Sequence, residues 1–373
     1  MTRIIRARVD SAALRHNLGV IRRAAPDSRV MAVVKANAYG HGLVPTALAL
    51  SDADSFAVAR LEEGLQLRSA GVVQPIVLLE GVFSAEQLAE AARQGFELVV
   101  HDPLQLTLLE GYAGTHRFTL WVKIDTGMNR LGFRPEDFPR AYERLRALAV
   151  PALEIRVMTH LARADETDCE MTREQVARFQ ALLPLHVPLP GRRREDRADR
   201  GRFVTSIGNS AGTLGWADAR GDFVRPGLAL YGVSPFANKI ATDLGLLPVM
   251  SLETTVIALR RVPRGETVGY GGAWRAERDS VIAILAAGYG DGVPRHLVSG
   301  APVWVAGHIA RLAGRVSMDM IAVDVTDQPG VLVGSPALLW GRALPVEQVA
   351  AAAATLPYEL LCGVSQRVPL ELS

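Results

Sequence analysis

A regular alternation of strand and helix patterns over residues 10–232 constrains the fold of this 373-residue chain more than any other feature. Short apolar runs rich in Val, Ile and Leu recur there, as expected of strands that are covered on both faces. The runs are residues 30–36, 55–59, 76–80, 97–101, 117–125, 153–160, 203–207 and 223–231. Eight strand–helix units in roughly 220 residues predict a (β/α)8 TIM-type barrel. A doubly wound open sheet remains the alternative, because strand count alone does not exclude it.

The segments between these runs carry helix signals. Residues 61–70 end at Gly71, and glycine is a common residue at the end of a helix. Residues 84–94 begin with a serine, carry a glutamine three positions later and end at Gly95, which is a capping pattern. Residues 136–150 place their large apolar side chains on one stripe. These patterns predict helices that cover the outside of the barrel.

The pattern changes beyond residue 235, where strand signals dominate. Strands are expected over residues 3–9, 251–262, 281–287, 302–306 and 320–325, with one helix near 345–355. We therefore predict an α/β chain with two domains. The barrel takes residues 10–232, and a mainly β domain takes residues 233–373 together with the N-terminal strand within residues 1–9.

The composition argues against several classes of function. Charged residues make up 21% of the chain and the net charge is +2, so neither a nucleic acid nor a membrane is expected as a partner. Cys169 and Cys362 lie in unlike contexts and predict neither a disulfide framework nor a metal site. The N-terminus lacks an apolar signal-peptide core, so a cytoplasmic location is expected. The one charge run, residues 191–202, predicts a solvated loop on the face away from the catalytic end.

The sequence VMAVVKANAYGHG, residues 30–42, places a lysine where a buried strand ends. Lys35 follows an apolar run and enters a turn-like segment with Asn37, Gly40 and Gly42. An amine that loses its hydration there is costly, and a neutral amine is what imine formation needs. The alternative is a strand-end lysine whose stem packs while its head reaches water. This run alone favours neither interpretation.

Further polar residues follow the carboxyl ends of later strands, where the catalytic groups of a barrel lie. They are Lys123 and Asp125 after the fifth strand with Arg130 close behind, His160 after the sixth, Asn209 and Ser210 after the seventh, and Arg225 in the eighth. This set suits a cofactor whose aldehyde binds a lysine and whose phosphate binds backbone N–H groups and a serine hydroxyl. Taken singly, His160 and Arg225 are equally compatible with ordinary structural roles.

Seven motifs, in order, resemble those of the alanine racemase family. They are VVKANAYGHG, MNRLGF, NSA, RPGLALYG, GYGGAW, GYGDG and SMDM, and the resemblance covers nearly the whole chain. It implies a pyridoxal 5'-phosphate enzyme with a barrel and a β domain that interconverts L-alanine and D-alanine. It also implies a homodimer with shared active sites. D-Alanine would be supplied for peptidoglycan or catabolised, and the sequence does not decide between these roles.

The resemblance assigns the two bases and the groups around the cofactor ring. Lys35 matches the lysine that forms the imine and acts as one base, and Tyr270 matches the second base. Arg225 matches the arginine that faces the pyridine nitrogen, with His160 beside it. An arginine does not give that nitrogen a proton, so the ring is a weaker electron sink and transamination should be suppressed.

The resemblance also assigns phosphate, substrate and entrance positions. Tyr39, Asn209, Ser210, Gly227 and Leu228 match cofactor-binding positions, Arg130, Met318 and Asp319 match substrate-side positions, and Tyr289 matches an entrance tyrosine. Lys123 matches a lysine that is carbamylated in some members and positions the arginine. Many members carry a tyrosine just before RVP that narrows the entrance, whereas this chain has Gln366. Weaker exclusion of larger amino acids is therefore expected.

Two alternative functions share parts of this pattern. A decarboxylase of the same architecture usually places an acid at the pyridine nitrogen and carries a glycine-rich phosphate loop with a catalytic cysteine, so Arg225 disfavours it. A non-catalytic cofactor-binding protein shares the barrel and its lysine but lacks the second domain. The segment after residue 232 and Tyr270 disfavour that alternative.

Overall fold

The computed structural model describes residues 5–150, 152–185 and 202–373. Its first strand, β1 (Arg6–Val9), belongs to a sheet described below. The next eight strands are β2 (Arg29–Val33), β3 (Ser55–Val58), β4 (Ile76–Leu78), β5 (Glu97–Val100), β6 (Thr119–Lys123), β7 (Glu154–Met158), β8 (Thr205–Ser206) and β9 (Phe223–Val224). They are parallel, and β9 pairs with β2 to close a barrel. The predicted barrel is confirmed, and closure excludes the open-sheet alternative.

Helices alternate with these strands, as the patterns predicted. They are α1 (Ser11–Ala24), α2 (Lys35–Tyr39), α3 (Leu43–Ala49), α4 (Leu61–Ser69), α5 (Ala85–Gln94), α6 (Pro103–Glu110), α7 (Phe138–Arg146), α8 (Glu170–Gln180) and α9 (Ser210–Gly215). Ser84 accepts the N–H of Gln87 at the start of α5, and Gly95 ends that helix in the left-handed conformation. Within the described ranges, no helix has both the length and the apolarity needed to cross a bilayer.

The interior of the barrel is filled, and a polar group closes its amino end. Side chains that fill the interior include those of Met31, Ala57, Val77, Val99, Trp121, Met158 and Phe223. At the strand starts, the indole N–H of Trp121 donates to Glu97 at 2.7 Å, and Arg156 donates to the same carboxylate at 3.1 Å. Burial raises the pKa of Glu97 although Arg156 opposes the shift. These contacts close the amino end of the barrel, so a site is expected at the carboxyl end of the strands.

The remaining strands form a small hairpin and a mainly antiparallel sheet, which also closes on itself. They are β10 (Met250–Val262), β11 (Thr267–Val268), β12 (Trp274–Arg275), β13 (Ser280–Leu285), β14 (Pro302–Val305), β15 (His308–Leu312), β16 (Ile321–Asp324), β17 (Pro336–Trp340) and β18 (Leu370–Leu372), with α10 (Val346–Ala352) and α11 (Pro357–Cys362). The strand order is β13-β16-β15-β14-β17-β10-β1-β18, β13 also pairs with β10, and β18 runs parallel to β1. Strands β11 and β12 form a separate hairpin. The predicted mainly β domain is confirmed, and β1 joins it.

Several sequence-based boundaries differ from the structure. The predicted strand over residues 223–231 ends at Val224, because Pro226 has no N–H to donate and a helical turn over Leu228–Tyr231 follows. The patterns also missed the short strands β11, β12, β15, β17 and β18. Of the charge run over residues 191–202, all but Arg202 lies outside the described residues, as do residues 3 and 4 of the predicted first strand.

Candidate active site

A cavity of about 940 Å³ opens at the carboxyl end of the barrel strands, against α10 and α11. Of the barrel residues that the sequence predicted as a site, Asp125 does not line this cavity, and the cavity brings together the others. These are Lys35, Tyr39, Lys123, Arg130, His160, Asn209, Ser210, Arg225, Gly227 and Leu228. They follow five different strands, so closure of the barrel, rather than proximity along the chain, assembles them.

The segment that presents Lys35 is a left-handed turn. From Ala36 to Tyr39, each residue has a φ of 53°, a conformation that disfavours residues with a Cβ by about 1–2 kcal/mol each. Neighbouring groups hold this turn in place. The backbone N–H of Ala36 donates to the Glu63 carboxylate at 2.6 Å, and that carboxylate also accepts two N–H groups at the start of α4. Strain is therefore concentrated where Lys35 and Tyr39 reach the cavity.

Arg225 is buried on the floor of the cavity in a fixed set of hydrogen bonds. Its guanidinium donates to the hydroxyl of Ser206 at 2.6 Å and to the carbonyl oxygen of Thr159 at 2.5 Å. It also lies 3.3 Å from Nδ1 of His160. Burial lowers the pKa of Arg225 to about 10, so it stays charged at neutral pH. Nδ1 of His160 therefore accepts, which leaves the proton of the neutral ring on Nε2.

Positive charge dominates the centre of the cavity. Burial, together with Arg225, Arg130 and Lys35, lowers the pKa of Lys123 to about 8. Burial and the same cationic neighbours lower the pKa of His160 well below its ordinary value, so its ring is neutral. A cluster of this kind is complementary to an anionic ligand such as a phosphate or a carboxylate.

A small polar cradle lies beside Arg225. The Ser210 hydroxyl oxygen accepts the N–H groups of Gly227 at 3.0 Å and Ala229 at 3.2 Å, which leaves its own proton to donate. A Cβ on Gly227 would stand 2.4 Å from the hydroxyl of Tyr39, so only glycine fits there. Burial raises the pKa of Tyr39, so its hydroxyl also remains a donor. Several donors thus converge where a phosphate would be bound.

The predicted residues of the β domain lie outside this cavity, as judged from the described ranges. They are Tyr270, Tyr289, Met318, Asp319 and Gln366. Tyr270 is 66% exposed next to the β11–β12 hairpin, and Met318 is 53% exposed. The loop of Tyr289 is bonded to the loop of Met318, since the Tyr289 N–H donates to Ser317 and the Gly290 N–H to Met318, both at 2.9 Å. These exposed residues of the β domain are thus set apart from the cavity of their own chain.

Tyr358 is a cavity residue that the sequence analysis missed. It lies in α11, lines the cavity, and its ring centroid is 5.8 Å from that of Tyr39. Burial raises its pKa to about 12, so the hydroxyl stays protonated. Gln366 is exposed and does not line the cavity. Helix α11 packs against α2 and so brings a C-terminal ring to the cavity. The expected weaker exclusion of larger amino acids stays a prediction.

Comparison with known proteins assigns the chain to a family. Residues 9–235 match the model of the alanine racemase N-terminal domain, and residues 249–372 match that of the alanine racemase C-terminal domain. The chain belongs to the alanine racemase family. Alanine racemases are isomerases, and the predicted enzyme class is confirmed. Matches to both domains also favour this family over the single-domain alternative.

Individual alanine racemases resemble the chain over its whole length. The alanine racemase of Aeromonas hydrophila subsp. hydrophila is 47% identical over 365 residues, which is 98% of either chain. The crystal structure of the biosynthetic alanine racemase from Pseudomonas aeruginosa is 42% identical, covers 100% of both chains and has a TM-score of 0.92. The alanine racemase from Acinetobacter baumannii is 38% identical, with full coverage of both chains and a TM-score of 0.90.

A compositional signal in the sequence also marks the cavity. Of the 41 lysines and arginines in the chain, only three are lysines: Lys35, Lys123 and Lys239. All three line the cavity. An amine, unlike a guanidinium, becomes a nucleophile near neutral pH, so a lysine in a chain that otherwise uses arginine for positive charge marks a candidate site. The ratio of the two residue types would have located the cavity from sequence.

Proposed function

We propose that the chain interconverts L-alanine and D-alanine with pyridoxal 5'-phosphate, using Lys35 and Tyr270 as the two bases. The observation that carries the proposal is the cavity, which joins an amine, a fixed arginine–histidine pair and a cradle of hydrogen-bond donors. Phosphate, ring and aldehyde each find a chemically suitable group there.

The residues present fit the cofactor. The hydroxyls of Ser210 and Tyr39 and the backbone near Gly227 suit the phosphate, because all are donors and Gly227 leaves room for close approach. The guanidinium of Arg225 suits the pyridine nitrogen as a donor to an unprotonated ring. The Lys35 amine would bind the aldehyde carbon covalently. When bound, the cofactor supplies an electron sink that acidifies the Cα–H bond of alanine.

Racemisation requires proton transfer on both faces of the reacting carbon. Lys35 serves one face, because its side chain lines the cavity beside the cofactor site. Tyr270 serves the other face, and a positioned phenol group is a suitable general acid or base. With one base on each face, either enantiomer can lose its proton to one base and gain a proton from the other, and no base has to move between the faces.

Arg130 and Lys123 form the substrate end of the proposed site. Arg130 is exposed at the cavity wall, where its guanidinium binds the carboxylate of alanine. Lys123, whose pKa is lowered to about 8, offers a partly neutral amine at physiological pH. Such an amine takes up carbon dioxide to form a carbamate, and the resulting anion would hold Arg130 in place. Met318 and Asp319 would face the substrate from the β domain of a partner subunit, because they lie outside the cavity of their own chain.

The second base comes from a partner subunit in this proposal. Tyr270 is exposed and lies outside the cavity of its own chain, as do Tyr289 and Met318. A two-fold dimer would place this exposed group over the cavity of the other protomer. Each site is then complete only when two chains combine.

Reductive trapping tests the proposal. The protein is incubated with pyridoxal 5'-phosphate, treated with borohydride and digested, and the peptides are weighed by mass spectrometry. We expect the cofactor mass on the peptide that contains Lys35, together with alanine racemisation detected by a D-amino-acid oxidase assay. Lys35→Ala should abolish the label and the activity.

Lys239→Arg is the matched control, because it removes another amine from the cavity wall and should keep the label on Lys35. A Lys35→Ala protein that racemises alanine at the wild-type rate would contradict the proposal.

A further inference from the structure

His41 is a buried residue that the proposed mechanism does not use. It follows the left-handed turn by two positions, is fully buried, and lies with its ring centroid 4.5 Å from that of Tyr231. Its motif, YGHG, adjoins Lys35 in sequence, yet its ring does not line the cavity. Any effect of His41 on the site therefore passes through the turn that it contacts.

The contacts of His41 are with the carbonyl end of the turn. Its Nδ1 atom lies 3.0 Å from the carbonyl oxygen of Ala38 and 2.9 Å from that of Tyr39. Both partners are acceptors, so Nδ1 must carry the proton and donate to both. The backbone N–H of His41 also donates to Ala38 at 3.0 Å. The opposite end of the turn is held by Glu63.

Packing alone does not account for a histidine here. Nε2 of His41 is buried and has no hydrogen-bond partner among the described residues. A buried polar atom without a partner costs stability, and an aliphatic side chain would fill the same space without that cost. Its ring neighbour, Tyr231, is a phenol whose pKa is raised by burial, so it supplies no charge. What the imidazole adds is the donor at Nδ1.

We propose that His41 is a positioning residue whose Nδ1–H holds the left-handed turn in the conformation that presents Lys35 and Tyr39 to the cofactor. The proposal rests on the proposed function for what the two side chains do. Without the donor, the carbonyl oxygen of Tyr39 loses its partner and that of Ala38 keeps only a backbone N–H, and the turn relaxes toward a conformation that suits residues with a Cβ. Lys35 and Tyr39 then no longer enter the cavity together.

Two nearly isosteric variants separate the donor from the packing. In His41→Asn the side-chain amide nitrogen stands near the place of Nδ1 and keeps the donor, whereas His41→Leu has the same branched shape without it. Both lose the ring contact with Tyr231 equally. The readouts are the dissociation constant of pyridoxal 5'-phosphate by absorbance titration of the full chain, kcat and KM for alanine, and the folded fraction by circular dichroism.

We expect His41→Leu to weaken cofactor binding and to lower kcat by roughly tenfold per folded protein, with KM for alanine little changed. His41→Asn should stay within about threefold of the wild type in cofactor dissociation constant, kcat and KM. Equal losses in the two variants would show that His41 contributes packing alone and would overturn the proposal.

Histidine NMR on the wild-type protein keeps the proposal testable if the leucine variant does not fold. We expect the neutral tautomer with the proton on Nδ1 for His41, and the other tautomer would overturn the proposal. The proposed function fails separately: a wild-type protein that forms no covalent link with pyridoxal 5'-phosphate would refute it and leave the tautomer result intact.

Discussion

At the scale of single residues, the protein keeps several histidines neutral in its interior. Burial lowers the pKa of His41 to about 4, although its hydrogen bonds to backbone carbonyl groups oppose the shift. Burial and cationic neighbours also hold His160 neutral. A neutral imidazole both donates and accepts, which both residues require, since His160 accepts from Arg225 and His41 donates to the turn.

Because these histidines are neutral in the folded protein, the fold should become less stable at acidic pH. In the unfolded chain His41 binds a proton near pH 6.5, whereas the folded state binds it only near pH 4. The unfolded state therefore holds more protons between these values, and the unfolding free energy should fall as the pH is lowered through them. The full loss from this residue is about 3 kcal/mol. Urea unfolding at a series of pH values measures it.

His41→Asn provides the matched comparison for this effect. Since asparagine does not titrate, the unfolding free energy of the variant should fall less steeply than that of the wild type between about pH 6.5 and pH 4. The difference in slope corresponds to the uptake of up to about one proton on unfolding. His160 still titrates in both proteins, so some slope remains. Parallel curves for the two proteins would refute a neutral buried His41.

At the scale of elements, one arginine ties together the exposed loops of the β domain. Arg367 donates to the buried carboxylate of Asp291 and to the exposed carboxylate of Asp319, both at 2.8 Å. Asp291 also accepts the N–H of Gly288 at 2.9 Å. A Cβ on Gly290 would stand 2.8 Å from the Arg367 guanidinium, so glycine permits this close approach. Three loops distant in sequence are thereby held in one arrangement.

Arg367→Gln should loosen the loop that carries Tyr289. Glutamine reaches fewer of these acceptors and brings no charge to the buried Asp291. Faster exchange is expected at the amides of residues 288–291, with little change in the barrel strands, and hydrogen-exchange mass spectrometry measures both.

Arg342→Gln, at another exposed arginine of the same domain, is the control and should leave the exchange of residues 288–291 unchanged. Unaltered exchange in Arg367→Gln would mean that backbone hydrogen bonds alone hold the loop.

At the scale of the whole molecule, the two groups of predicted site residues lie apart. Lys35 lines a cavity in the barrel, while Tyr270 is exposed on the β domain of the same chain. A shared site between two protomers reconciles this separation with a two-base mechanism. Mixing of inactive chains distinguishes a shared site from one that a single chain completes by itself.

Lys35→Ala and Tyr270→Ala chains, refolded together, should recover roughly a quarter of wild-type activity. Random pairing makes about half of the dimers mixed, and each mixed dimer combines one intact Lys35 with one intact Tyr270. The converse mixture is wild type with the double variant Lys35→Ala/Tyr270→Ala. It should also give roughly a quarter, because its mixed dimers hold no intact site.

Sites built within single chains give different values in both mixtures. The first mixture would then show no recovery, and the second would keep about half of wild-type activity. Alanine racemisation is assayed after mixed dimers have been demonstrated by differential tagging.

Local patterns in the sequence determined the order and type of most elements. The eight apolar runs became the barrel strands, and a serine and a glycine mark the two ends of α5, because apolar runs, capping and helix termination depend on residues within a few positions of one another. The cavity residues of the barrel were also predictable. Parallel strands bring their carboxyl ends to one rim, so polar residues that follow strands converge there.

Only the tertiary structure decided the conformation after Lys35 and the source of the aromatic ring beside Tyr39. Nothing in KANAY demands a left-handed turn, and the contacts that hold it involve Glu63 in α4 and the buried ring of His41. Tyr358 reaches the cavity because α11 packs against α2, which is more than three hundred residues earlier in the chain. Such choices depend on contacts between distant segments, and a local pattern contains no information about which segments will meet.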